Sequence, residues 1–398
     1  MKKKIAIIGG GIIGLAIAYK LNLFKSNIKT IIFEKESSIG QHQSGRNSGV
    51  LHCGLSYPPG SLKANLAVSG IRQMIAFCEK NSINHDICGK IVVANNQNQL
   101  DYIDKLALQG EKNGLKNLKF LNQLELKQRE PYVRAEKALL VPEEGIVDYS
   151  EVMLKLSNLI KSNDGEILLN TKIENCFNKG AKIVLSNLKQ DWEFDLIINC
   201  TGLHTDRVYN KLTFKKSPVK IIPFRGEYLK LNDDSKKLVN HLVYPVPDPK
   251  YPFLGVHFTR LVNGDRELGP NAVLAFKREG YHNTDFSWND TIDYLKYIGL
   301  YKFLFKNLKF SLKEFSSSIF MDVFIKQAKL IVPEIESSMC VKGNSGVRAQ
   351  SINPNGELMM DFKIIKDSNQ IHLLNAPSPG ATASLAIADY LIDNFVVN

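Results

Sequence analysis

Lys4-Ile-Ala-Ile-Ile-Gly-Gly-Gly-Ile-Ile-Gly14, running on through Leu15-Ala-Ile-Ala-Tyr-Lys-Leu21 to Thr30-Ile-Ile-Phe-Glu34, decides the fold. An apolar strand leads into a glycine turn, a helix of good helix formers follows, and a second apolar strand ends on an acid. Gly9, Gly11 and Gly14 fit the G-x-G-x-x-G spacing. The first glycine makes the turn, the second lets backbone approach a pyrophosphate, and the third lets the helix pack on the strand. The helix start at Ile12 and Ile13 offers free N–H groups to phosphates. Glu34, with Lys35 after it, stands where an acid takes ribose hydroxyls. Adenine-dinucleotide binding is the expectation. A signal peptide built on Lys2-Lys3-Lys4 is the alternative, but the triple glycine would break its apolar core.

Working outward, the next stretch is Gln41-His-Gln-Ser-Gly-Arg-Asn-Ser-Gly-Val-Leu-His52. Its Ser44, Arg46, Asn47 and Ser48 can lay donors along phosphates or a ring system; a surface turn is the plainer reading. A second signal of the same domain is Asp195-Leu-Ile-Ile-Asn-Cys-Thr-Gly202, a buried strand whose small end at Thr201 and Gly202 would let the chain pass a cofactor closely. Near the C-terminus, Pro377-Ser-Pro-Gly-Ala-Thr382 opens a helix, and Gly380, Ala381 and Thr382 would close the cofactor pocket. Between these, helices are expected over 61–81, 97–114, 123–130 and 149–162, with strands at 90–95 and 138–142. Residues 217–290 are β-rich, with a hairpin around Asn263-Gly264.

The chain has 398 residues, which favours two domains. The fold class expected is α/β (α+β, two-domain): a Rossmann-like parallel-sheet cofactor domain from 1–85, 148–215 and 340–398, and a mainly antiparallel substrate domain from 86–147 and 216–339. Hydrophobic residues make up 44% and charged residues 23%, an ordinary globular composition. No apolar run of about 18 residues exists, so no spanning helix is expected. The charge of +11 comes from 51 basic against 40 acidic residues. The lysines are scattered without a zinc-finger or arginine-rich pattern, which argues against nucleic acid. The six cysteines show neither metal nor disulfide spacing, as in a reducing compartment, and no metal is expected. Lys302, Lys306, Lys309 and Lys313 share a helical face with apolar residues around them over 300–315. That is a basic amphipathic helix suited to an anionic membrane surface, or a solvated lysine face on a core-packed helix.

Taken together, these pieces resemble the FAD-dependent oxidoreductases of the D-amino-acid oxidase type. The order is the same: Gly9/Gly11/Gly14, Ser44 to Gly49, Asn199 to Gly202, Gly346-Val-Arg348 and Ser378 to Thr382. Longer strings narrow the resemblance to the L-2-hydroxyglutarate dehydrogenase/oxidase branch: Ser48-Gly-Val-Leu-His-Cys-Gly-Leu-Ser-Tyr-Pro-Pro-Gly-Ser-Leu-Lys-Ala64, Tyr244-Pro-Val-Pro-Asp248, Pro252 to Thr259, Leu268 to Tyr281 and Asn375 to Pro379. The resemblance implies non-covalent FAD, with His52 and Cys53 leaving a covalent link open. It implies oxidation of a dicarboxylate hydroxy acid to the oxo acid, and electrons passed to a membrane quinone or another acceptor that is not NAD. The start at the first strand favours a bacterial cytoplasmic location, at the inner face of the cell membrane.

Chemically, oxidation at C2 needs a base for the hydroxyl proton and cations for a dianionic substrate. The resemblance places Arg348 beside the flavin, with Ala349 where the family has proline. Arg225 and Lys277 are the further candidate cations. His52, after the flavin-side loop, and His257, in the substrate domain, are both candidate bases. An amine-oxidising relative, a redox-sensing flavin module and an NAD-dependent dehydrogenase are the competing readings.

Overall fold

The computed structural model describes residues 2–24, 27–247, 255–308, 316, 318 and 321–396. Its first sheet has six strands in the order Lys363–Asp367, Gln370–Asn375, Leu196–Asn199, Lys3–Ile8, Ile28–Phe33, Glu166–Leu168. All neighbours in it are parallel except the first pair. The helix Ile12–Phe24 is apolar nearly all round because it is covered on both sides. Ile5, Ile7, Leu15, Ile17 and Leu21 are fully buried between the sheet and the helices Tyr149–Ser162 and Ser384–Leu391. Each such side chain contributes about 1.5–3 kcal/mol of burial.

Two glycines hold the first turn together. Gly9 has φ +111°, and a Cβ on it would lie 2.6 Å from Cys200 O. A Cβ on Gly14 would lie 2.2 Å from Gly9 O, so no larger residue lets this helix sit on this strand.

The second sheet has nine strands, drawn from Lys90–Ala94, Lys119–Leu121, Lys137–Val141, Lys220–Leu231, Leu242–Pro245, His257–Arg260, Arg266–Gly269, Val273–Leu274 and Cys340–Ile352. Only Leu242–Pro245 with Lys90–Ala94 is a parallel pair. The hairpin expected at Asn263-Gly264 is present, closing on Arg260 opposite Arg266. A short sheet of Val50–Leu51, Gly145–Val147 and His85–Asp86 joins the two larger ones. The expected helices are found at Leu62–Asn81, Gln97–Lys112, Gln123–Arg129 and Tyr149–Ser162; the first is capped by Ser61 accepting from Ala64 N–H.

Two features differ from the expectation. The segment from 340, assigned to the cofactor domain, begins as the strand Cys340–Ile352, which pairs with Lys220–Leu231 in the second sheet. Between the strand expected at 138–142 and the helix at 149–162, where no further strand is expected, lies the strand Gly145–Val147. Of the basic face expected over 300–315, Lys302 and Lys306 lie on the helix Ile298–Lys306, while Lys309 and Lys313 lie outside the described residues. Parts of two family-like strings, Asp248 and 252–254, also lie outside them.

Candidate active site

The glycine turn, the loop 41–49, the strand end 199–202 and the tail loop 377–382 meet at the edge of the first sheet. Ser44 Oγ accepts from Ile12 N–H at 3.0 Å, which docks the loop on the helix start. Gly202 approaches the same loop, where a Cβ would lie 2.7 Å from Gln43 Oε1. Gly380 faces Ile13 from the tail side. The N–H groups of Gly11, Ile13 and Gly14 find no protein acceptor among the described residues. Unpaired amides at a helix N-terminus fit a pyrophosphate. Glu34 braces this cradle: its Oε2 accepts from Gly10 N–H at 2.8 Å and its Oε1 from Glu36 N–H at 2.9 Å. Each carboxylate oxygen keeps a further lone pair for a ribose hydroxyl. Thr201 is turned inward by its hydroxyl, which donates to Asn199 Oδ1 at 2.7 Å.

Other loop residues serve the junction between the two sheets. Lys35 pairs with Glu36 and, at 2.7 Å, with Glu279. The Arg46 guanidinium lies 4.0 Å from the centre of the Tyr281 ring, a cation–π contact. Asn47 folds back on its own loop, donating to Ser44 O and accepting from Gly49 N–H. Ser48 is half-buried beside it. Gly346 admits the loop from the other side, since a Cβ there would lie 2.3 Å from Arg46 O.

Opposite the cradle, alternate residues of the second sheet point to one face. On His257–Arg260, Phe258 enters the core, so His257 and Thr259 face the other way. Lys90 and Tyr244 belong to the same face, and the rings of Tyr244 and His257 lie 4.0 Å apart. His257 Nδ1 donates to Gly255 O at 2.9 Å. Burial pushes its imidazole down to about 3, against the lift from the Gly255 carbonyl, and the nearby His52, Arg348 and Lys90 charges push the same way. His257 is therefore a neutral ring whose Nε2 accepts.

His52 enters from the cofactor side. Its N–H donates to Thr382 Oγ1 at 3.2 Å, and Thr382 also meets the Tyr149 hydroxyl at 2.7 Å. Behind its ring stands Glu144, 1% exposed. Glu144 Oε2 lies 3.4 Å from His52 Nδ1, and Oε1 takes the Lys90 ammonium at 2.6 Å and the Cys53 thiol at 3.2 Å. Burial alone would raise the Glu144 carboxyl; the Lys90 ammonium and the His52 ring outweigh it and hold the group well below the usual carboxylate range. Arg348 completes the face. It donates to Asn271 O at 3.1 Å, and its guanidinium reaches over Gly226.

The structure thus brings His52, His257 and Arg348 together. It places the other two candidate cations elsewhere. Arg225 is buried, its guanidinium engaged by Glu227 at 3.0 Å, His282 O at 3.2 Å and Asn283. Lys277 sits in the turn closed by Gly280 N–H to Lys277 O, where its charge reaches Asp285. Sequence reasoning missed Glu144 and Lys90. Both stood in ordinary strand and turn contexts, and only their meeting across 54 residues marks them.

The family profile of the FAD dependent oxidoreductases matches residues 4–394. The chain belongs to this family. As an FAD-dependent oxidoreductase it takes a flavin cofactor, and the family expected from the sequence is the one found. It is similar to the L-2-hydroxyglutarate dehydrogenase of Indibacter alkaliphilus, with 42% identity over 387 residues covering 97% of each chain. It is also similar to the protein of that name from Escherichia coli K12, at 38% identity over 97% of this chain and 91% of the other. Among solved structures, L-alpha-glycerophosphate oxidase from Mycoplasma pneumoniae with FAD bound has the same fold, with a TM-score of 0.78 at 21% identity over 98% of this chain and 94% of that one.

Proposed function

We propose that this flavoenzyme oxidises L-2-hydroxyglutarate to 2-oxoglutarate, acting on the CH–OH group. One observation carries the reading: His52, entering from the side of the cradle, meets His257 and Arg348 of the second sheet. The 38–42% identity to near full-length relatives bearing that activity in their names supports the substrate. FAD, when bound, would supply the acceptor for the C2 hydride.

The chain's residues supply the rest. Arg348 holds the substrate carboxylate beside C2 through its planar fork. His52 Nε2 accepts the hydroxyl proton, because the carboxylate of Glu144 stabilises the resulting imidazolium. His257 is the poorer base, since a ring held near 3 does not keep a proton; its Nε2 accepts a hydrogen bond that orients the hydroxyl. Lys90 is the remaining buried cation on this face, already balanced by Glu144.

The electron acceptor proposed is a membrane quinone, reached from the membrane surface. No helix of the described residues is long and apolar enough to cross a membrane. Instead, the helix Ile298–Lys306 presents Phe305, 85% exposed, together with Lys302 and Lys306. Such a surface suits an anionic bilayer.

The test is anaerobic addition of L-2-hydroxyglutarate to the purified holoenzyme. Loss of the visible flavin band with formation of 2-oxoglutarate, for the L isomer alone, is the expected result. Bleaching by an amino acid but by neither hydroxyglutarate isomer overturns the substrate. Reoxidation by a quinone in anionic vesicles, but not by NAD, is expected for the acceptor.

A further inference from the structure

Among the buried charged groups, one assembly stands beside the reaction without touching it. Glu144 lies at the turn before Gly145–Val147, and Lys90 begins the strand Lys90–Ala94. Their side chains are 1% and 8% exposed and meet at 2.6 Å. Lys90 thereby occupies Glu144 Oε1, which also takes the Cys53 thiol. Glu144 Oε2 is different: it is buried and accepts no well-formed hydrogen bond among the described residues. His52 Nδ1 stands 3.4 Å from it. An unpaired carboxylate oxygen in a low-dielectric site is costly unless a donor closes on it. Hydrogen bonds of this kind are often long before substrate arrives.

We propose that Glu144 is the positioning residue of His52, fixing its ring with Nδ1–H toward Oε2 and Nε2 toward the substrate, and that Lys90 sets the strength of this hold by sharing the carboxylate. The inference rests on His52 being the base in the function proposed above. When the substrate O–H bond breaks, its proton forms the Nε2–H bond, and Nδ1 keeps its own proton against Oε2. The positive charge that develops on the ring is balanced by Glu144 without any proton reaching the carboxylate. Lys90 withdraws part of that negative charge. Removing Glu144 and removing Lys90 therefore act on His52 in opposite directions. A pair present only to hold the sheets together has no such signature.

The other titratable and charged groups around His52 and Glu144 are the neutral His257, the Arg348 guanidinium, and the Tyr244 and Tyr57 phenols and the Cys53 thiol, all three driven upward by burial and so uncharged. None of them changes in the comparison between variants.

The test is the titration of the His52 ring in holoenzyme labelled with 13C-histidine, assigned with His52→Gln, in wild type, Glu144→Gln and Lys90→Met. A carboxylate this close shifts a neighbour by about one unit or more. His52 is expected to titrate about one unit lower in Glu144→Gln and higher in Lys90→Met. The acid limb of the flavin-reduction rate should move with it, and the maximal rate in Glu144→Gln should fall roughly tenfold or more while the yellow colour is retained. Titration of His52 at the wild-type pH in Glu144→Gln overturns the inference. If Glu144→Gln does not fold, Lys90→Met decides alone: an upward shift supports the inference and none overturns it. A wild-type enzyme that L-2-hydroxyglutarate does not bleach would refute the proposed function but leave the ring titration to judge this inference separately.

Discussion

Arg278 is the residue whose loss the structure makes most costly outside the active site. Only 2% of it is exposed, in the turn after Val273–Leu274, yet it reaches the first sheet's helix Thr205–Thr213. Its guanidinium donates to Asp206 Oδ1 at 2.6 Å and Oδ2 at 3.0 Å, and also to Leu203 O. Asp206 is equally buried. In Arg278→Leu, Asp206 keeps only the N–H groups of Arg207 and Ile221, at 2.9 and 3.1 Å. Breaking one side of a buried pair leaves an uncompensated charge, at about 3–5 kcal/mol. At 1.4 kcal/mol per decade, that is roughly two to three and a half powers of ten in the folded ratio. The assay is urea unfolding of the holoenzyme by circular dichroism at fixed FAD, extended to Asp206→Asn and the double variant. The second lesion should add little once the first is made, giving a coupling about as large as one single loss, about 3 kcal/mol. A loss below about 1 kcal/mol, or additivity within about 0.5 kcal/mol, would refute the reasoning. FAD affinity should fall in the same variant, because Leu203 O follows the strand end at Thr201 and Gly202.

Gly14→Ala should give a colourless protein, since its Cβ would lie 2.2 Å from Gly9 O; an FAD content equal to wild type would contradict the packing. Arg348→Met should lower kcat/KM for the hydroxy acid by roughly ten- to a hundredfold, the worth of a charge-assisted carboxylate bond, and steady-state kinetics checks it. Burial lifts the Glu267 carboxyl to about 7, with Asp265 adding to the lift, so it costs stability when ionised: stability should fall as pH rises from about 4.5 through 7. Urea midpoints at pH 5 and 8 should therefore differ less in Glu267→Gln than in wild type. Glu279 runs the other way: against burial, His204 and Lys35 hold it at about 2, so its contribution is present above about 4.5 and is lost as pH falls through 2. Glu279→Gln should flatten the acid limb of unfolding.

What the sequence revealed, and what it hid, follows from how far apart the interacting groups lie along the chain. The cradle was legible because its turn chemistry is local: Gly9 and Gly14 are placed by backbone geometry within six residues of each other. His52, His257 and Arg348 were reached through family-like strings, and they meet in space. The strand Cys340–Ile352 was assigned with the cofactor domain, not with the second sheet. Gly343, Asn344 and Gly346 weaken its strand propensity, and long-range pairing with Lys220–Leu231 overrides that. Gly346 is there for the close approach of Arg46 O, not for a turn. Arg225 was a further candidate cation for a dianionic substrate; its anion is instead Glu227, two residues away on its own strand. The partnerships of Glu144 with Lys90 and of Arg278 with Asp206 span 54 and 72 residues, and no local pattern announces them.

The two buried pairs differ in what they explain. Arg278 and Asp206 join the sheets, and their cost is met by five or more bonds to backbone and carboxylate. Lys90 and Glu144 also cross between a strand of the second sheet and the small joining sheet. As a fastener, however, that pair is a poor choice, because apolar residues of the same volume would hold such a junction as well or better. One of its oxygens is left without a bond, which a fastener would not leave. The unpaired oxygen faces His52, which is anchored to the tail loop through Thr382. Chain topology explains why the arrangement can exist at all. The strand Val50–Leu51 carries His52 out of the cofactor domain, and its partner Gly145–Val147 brings Glu144 alongside. The proton acceptor and the electrostatic support proposed for it are thus fixed to one small sheet, and Arg348, the cation proposed for the substrate, comes from the strand paired with Lys220–Leu231.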